Sequence, residues 1–168
     1  MIKKNLFLII LALPFHVISQ NIQEIKVGQN APDTLYKLID KNTGEHIETK
    51  GKVILVNFFA IWCSPCVAEL PVLQARVWNK YKNNSDFALL VFGRGHSINE
   101  INAFKIKNKF DMPMSSDLGL KMFRLFAYQS IPRNYVIDKN GIIVYASKGF
   151  NLDEFKRMQV VIDNLLKE

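Results

Sequence analysis

Only two cysteines, Cys63 and Cys66, occur in these 168 residues, and they stand three positions apart. So few thiols exclude a small scaffold held by several disulfides. Histidine is scarce as well: three in all, with only His46 and His96 outside the first nineteen residues, in neither an H-x-H nor an H-x-x-x-H pattern. A structural zinc site needs four ligands, usually from two such pairs, so no metal is expected. Haem attachment would place His directly after the second cysteine, where Val67 stands. A peroxide-reducing cysteine usually follows Thr by three positions, and Ala60 occupies that place. No other cofactor is indicated.

Long apolar runs are missing too. The longest near the start, Leu6 to Leu13, follows Lys3 and Lys4 and is broken at Pro14, with Val17-Ile18-Ser19 beyond it. Positive start, short apolar stretch and small residues mark residues 1–19 as a signal peptide, too short for a comfortable membrane span. An uncleaved N-terminal anchor is the competing reading. Export, to the periplasm, gives a lone Cys pair a particular meaning. A dithiol in an oxidising compartment must be recharged by some partner.

No dense basic run with interleaved aromatics occurs. The formal charge is +7 for the whole chain and +5 once the two leader lysines are set aside, and the bases are scattered among acids. Nucleic acid is not indicated. Repeats, low-complexity tracts and internal linkers are absent, so residues 20–168 read as one domain of ordinary size, expected as a monomer.

What is present is concentrated in one place. The apolar run Val53-Ile54-Leu55-Val56-Asn57-Phe58-Phe59-Ala60 leads into Trp62-Cys63-Ser64-Pro65-Cys66. The run predicts a strand buried on both faces. A helix starting there puts Cys63 at its N-terminus, where free N–H groups and the helix dipole favour a thiolate. Cys66 follows one turn later, close enough for a disulfide. A loop so short removes little entropy from the unfolded chain, so a structural staple is the weaker reading. The pair reads as a reversible two-electron switch, and the chain as a thiol–disulfide oxidoreductase.

Along the rest of the chain, Leu35 to Ile39 predicts a strand followed by a turn at Asp40 to Gly44. A helix from Pro65 to about Tyr81 should kink at Pro71. Phe87 to Phe92 predicts a strand and Ile98 to Phe110 a helix with Ile101, Phe104 and Ile106 inward. Met112 to Ser116 reads as a short extended piece, Leu118 to Ala127 as a helix. Strands Arg133 to Ile137 and Ile142 to Ala146 flank Asn140-Gly141, a strong hairpin signal. Leu152 to Leu166 closes the chain as a helix. The alternation indicates an α/β fold, a mixed central sheet with helices on both faces. His96 and Arg94 belong to a Gly-rich loop that could border the site; ordinary surface residues are the favoured reading and a catalytic part the competing one. Met112 and Met114 read as core filling rather than a metal site.

Taken in order, these pieces resemble the TlpA/ResA-like group of exported proteins with the thioredoxin fold. The likeness covers nearly all of residues 20–168. It rests on Gly28…Ala31-Pro32, Gly51-Lys52-Val53 through Phe58, Trp62-Cys63-Ser64-Pro65-Cys66, Glu69 with Pro71, Ile131-Pro132, and Val136-Ile137-Asp138-Lys139-Asn140-Gly141-Ile142. It implies that Cys63 attacks and Cys66 resolves, and that Ile131-Pro132 is cis and lies against the disulfide. Ile131, before the proline, would offer backbone groups to an extended client segment, and Trp62 would shape the docking surface. Cytosolic thioredoxins carry a buried Asp six residues before the first cysteine; here that residue is Asn57, which cannot accept a proton. Glu69, three residues after Cys66, is the alternative base, with a solvated helix glutamate as the competing reading. The expected partners are oxidised client proteins and a membrane-bound thiol electron donor. A client-binding chaperone, for example in cytochrome c maturation, and a disulfide-forming oxidase remain as alternatives.

Overall fold

The computed structural model describes residues 24–38 and 47–167. The signal-peptide reading and the Asp40–Gly44 turn fall outside them. Five strands form one sheet in the order β3-β2-β1-β4-β5: β1 (Val53–Phe59), β2 (Phe87–Arg94), β3 (Ser115–Asp117), β4 (Arg133–Ile137) and β5 (Ile143–Lys148). The first three are parallel, whereas β4 and β5 run antiparallel to their neighbours. Every residue of central β1 is buried, as a continuous apolar run requires.

Alternation along β1 sorts the core into two layers. Val53, Leu55 and Phe59 face α1 (Ser64–Leu73), α3 (Ile98–Asn108) and α5 (Leu152–Leu165), packing on Leu70, Leu73, Ile101, Phe155, Met158 and Ile162. Ile54, Val56 and Phe58 face the other way, onto α4 (Phe123–Phe126) and Leu35. Helices therefore cover both faces. Among the described residues no helix is long and apolar enough to cross a membrane.

Several sequence expectations change in detail. The described part of the strand expected from Leu35 is not a strand: Asp33–Lys37 forms a 3-10 turn, Leu35 N–H donates to the Pro32 carbonyl, and Leu35 is buried as an anchor. The Thr49 hydroxyl, not a neighbouring strand, meets the Leu35 carbonyl. The long helix, expected with a kink at Pro71, changes its hydrogen-bond pattern three residues beyond it. It runs through the proline and passes into a π segment, Gln74–Trp78, before α2 (Asn79–Tyr81). At the junction the Gln74 N–H is shared between the Leu70 and Pro71 carbonyls.

Ile106 points to solvent, 80% exposed, while Ile101 and Phe104 are buried, so the inward face of α3 is narrower than expected. The helix expected from Leu118 shrinks to Phe123–Phe126. Leu120 has φ of 56°, outside helical space, and the Asp117 carboxylate accepts the N–H groups of Met122 and Phe123, fixing the start there. In the β4–β5 hairpin only Gly141 of the Asn-Gly pair takes a positive φ, 85°, with its N–H donating to the Asp138 carbonyl. The entry segment Gly28–Ala31 lies along β5 and extends that edge.

Candidate active site

Cys63 caps α1, which puts its sulfur against the free N–H groups of the first turn. Its Sγ accepts the Cys66 N–H at 3.3 Å, and Pro65, which has no N–H to leave unpaired, sits in the first turn. Cys63 and Cys66 are joined as a disulfide, with Cα atoms 5.2 Å apart. Cys63 keeps 6% exposure and Cys66 none, so both sulfurs are buried in the disulfide form. Trp62 beside them is 67% exposed.

The Ile131-Pro132 bond is cis, and Cys63 Sγ lies 3.8 Å from the Ile131 carbonyl oxygen. A disulfide sulfur has no proton to donate, so in this state the approach is a contact; the reduced thiol could donate along it. The preceding loop is held from below by Arg133, a buried residue that sequence reading passed over. Its guanidinium donates to the Ser130 and Gln129 carbonyls and pairs with Glu24. Ser130, at φ of 64°, is fixed by that grip.

Glu69 is not a solvated helix glutamate. Cys66, Glu69, Leu70 and Leu73 form the buried stripe of α1, and Glu69 keeps 1% exposure. Asn57 is the cross-strand neighbour of Asn134 on the sheet face that α1 covers. Asn57 donates through Nδ2 to Glu69 Oε2 at 3.0 Å and to Asn134 Oδ1 at 2.8 Å; Asn134 donates to Glu69 Oε1 at 2.6 Å. Burial pushes the Glu69 carboxyl up to about 7, against the two amide donors, which favour the carboxylate. Asn134 had no sequence signal, because nothing short of the β1–β4 register places it opposite Asn57. Asn134→Leu, similar in shape without the donor, is expected to raise the Glu69 midpoint by about one unit or more, since a hydrogen bond to a charged group contributes about 1.5–3 kcal/mol. Carboxyl-carbon NMR titration measures it; an unchanged midpoint would leave Asn134 no electrostatic part.

His96 also departs from its sequence reading. It is buried, at 7% exposure, and accepts the Ile61 N–H through Nε2 at 3.1 Å. Arg94 lays its guanidinium over the Phe123 ring at 4.7 Å. Met112 and Met114 are buried in the core. Among the described residues no cluster of three or more potential metal ligands occurs.

A dithiol pair at a helix N-terminus, backed by a cis-proline loop on a mixed sheet, defines a thioredoxin-fold redox protein. Residues 26–162 match the Redoxin family, and the chain belongs to it, within the TlpA/ResA-like thiol–disulfide oxidoreductases. It is 28% identical over 149 residues to the thiol-disulfide oxidoreductase ResA of Oceanobacillus iheyensis, covering 84% of this chain and 77% of that one. To the ResA of Bacillus cereus it is 25% identical, covering 73% of this chain and 69% of the relative. A Bacteroides thetaiotaomicron protein, provisionally described as a protein disulfide isomerase, superposes with TM-score 0.77. That pair is 31% identical over 86% of this chain and 92% of the other.

Proposed function

We propose that this chain is an exported reductase of protein disulfides, cycling Cys63 and Cys66 between dithiol and disulfide. The observation that carries this is the buried carboxyl of Glu69, one helical turn from Cys66 on the same buried stripe and held between two amides. The reduced Cys63 thiolate attacks a client disulfide. A mixed disulfide forms, and one client sulfur leaves as a thiolate. Glu69 takes the Cys66 proton. The Cys66 thiolate then attacks Cys63 Sγ, releasing the second client sulfur and closing the disulfide found here. Two electrons pass to the client, and a membrane-bound thiol donor restores the dithiol.

The exposed indole of Trp62 and the backbone of Ile131 at the Pro132 loop supply the docking surface for an extended client segment. No charged or histidine side chain lies between the cysteines to favour the thiolate strongly, which supports the reducing direction. Export rests on the leader pattern of residues 1–19.

Insulin reduction with a recycling thiol donor tests the reading. Many turnovers per protein molecule are expected, together with a potential below that of the strongly oxidising dithiol proteins. Stoichiometric capture without turnover would instead mark a client-binding chaperone, and a high potential with net disulfide formation an oxidase.

A further inference from the structure

We propose that His96 is a positioning residue for the redox centre: its neutral imidazole pins the loop between β1 and α1, and so holds Cys63 against the first turn of α1. The loop is a tight one, closed by Cys63 N–H on the Ala60 carbonyl at 3.1 Å. That turn does not use the N–H of Ile61, two residues before Cys63. A backbone N–H in such a place needs an acceptor. His96 supplies it from 35 residues away, through Nε2 at 3.1 Å.

The His96 backbone is fixed in turn. Its N–H donates to the Gly93 carbonyl, and its own carbonyl accepts the Ser116 hydroxyl at 2.6 Å. The pin therefore ties the cysteine loop to the ends of β2 and β3.

An acceptor at Nε2 requires that nitrogen to carry the lone pair, so the neutral ring must hold its proton on Nδ1. Nδ1 is buried without a hydrogen-bond partner, and the nearest carboxylate is Glu100 Oε1 at 3.7 Å, on the first turn of α3. A second proton would sit on Nε2, facing the Ile61 N–H, and two donors cannot bond. Protonation therefore releases the pin. Among the described residues, the charged group that faces the ring is Glu100. Asp117 of β3 is engaged with Met122 and Phe123, and Arg94 of β2 lies over Phe123. Glu100 is itself turned mainly to Ser97, whose N–H and hydroxyl it accepts.

The kinetic part rests on Cys63 being the attacking thiol; the structural part does not. Nitrogen-15 NMR of the wild-type protein at neutral pH should show His96 as the Nδ1–H tautomer, with a slowly exchanging Ile61 amide. His96→Phe removes the acceptor and should speed Ile61 exchange about tenfold, on the scale of one lost amide hydrogen bond. Formation of the mixed disulfide between reduced Cys63 and oxidised glutathione should slow about three- to tenfold, as the Cys66 N–H is less well held against the thiolate.

His96→Gln offers an uncharged acceptor at the Nε2 position and should restore both quantities. In the wild type, Ile61 protection should fall together with the appearance of the imidazolium signal, while the Gln variant keeps it at the same pH. An Nε2–H tautomer overturns the proposal. So does Ile61 protection that survives in the imidazolium form, or a Gln variant as slow and unprotected as Phe. If His96→Phe does not fold, the tautomer and the Gln comparison decide alone. Ile61 protection lost in Phe and restored in Gln, with an unaltered rate of adduct formation at Cys63, overturns the positioning role. An adduct found on Cys66 would instead overturn Cys63 as the attacking thiol and leave the pin to be judged on Ile61 protection alone.

Discussion

Cys66→Ser is expected to leave the protein covalently attached to its clients, while Cys63→Ser is expected to trap none. Cys63 caps α1 and receives the Cys66 N–H on its sulfur, the arrangement that stabilises a thiolate. Cys66 lies one turn further along α1 on its buried stripe, without that place at the helix N-terminus, and within reach of Cys63. Serine at 66 cannot close the internal disulfide, and the mixed disulfide at Cys63 then has no resolving sulfur. Both variants should lose catalytic turnover almost entirely. Non-reducing electrophoresis of each variant after exposure to oxidised client protein gives the answer. Adducts formed equally by both variants, or by Cys63→Ser alone, would reverse the assignment.

The second large effect is expected at Glu69, in kinetics and in stability. With its carboxyl pushed up to about 7 by burial, Glu69 exchanges its proton where the resolving step needs a base. Glu69→Gln should therefore slow disulfide turnover and flatten its pH dependence near neutrality. Stopped-flow reduction across pH 5 to 9 measures this, and superimposable profiles would end the catalytic reading.

The stability effect has the opposite sign to that of an ordinary paired carboxylate. Below the unfolded midpoint of 4.5 both states hold the proton, and Glu69 contributes no pH dependence. Between 4.5 and about 7 the unfolded chain loses the proton while the folded one keeps it, so stability falls as pH rises. Above about 7 the loss is complete, of the order of 3 kcal/mol at 1.36 kcal/mol per unit. The wild type should thus weaken relative to Glu69→Gln between pH 5 and pH 8 in denaturant titrations of the oxidised forms. A constant difference across that range would mean the buried carboxyl does not titrate there.

The residues by themselves determined the central layout. Val53 to Ala60, apolar but for Asn57 and rich in β-branched and aromatic residues, reads as a strand covered on both sides, and the thiol pair after it, with Pro65, starts a helix. Asn140-Gly141 set the hairpin, and α5 lies within a residue of its expected span. These features are local: each rests on periodicity, a cap or a turn residue. The resemblance carried by the same motifs pointed to Cys63, Cys66, Glu69 and the Ile131-Pro132 loop.

Tertiary structure decided what depends on residues far apart in sequence. Whether Glu69 was solvated or buried could not be read from α1, since both readings give the same helix; the Asn57–Asn134 register made it a buried carboxyl between two amides. His96 looked like a surface loop residue until the fold set it under Ile61. Arg133 reads as one more scattered base, yet its guanidinium holds the loop before Pro132. The short helix at Phe123 and the 3-10 turn at Leu35 differ in that their closing partners, Asp117 and Pro32, are near in sequence. Apolar spacing suited a longer helix and a strand, but the Asp117 side chain fixed the helix start and Thr49, fourteen residues on, took the Leu35 carbonyl. Hydrophobic pattern specifies which face is inward, whereas a buried polar group is specified by its partner, and the partner is chosen by the fold.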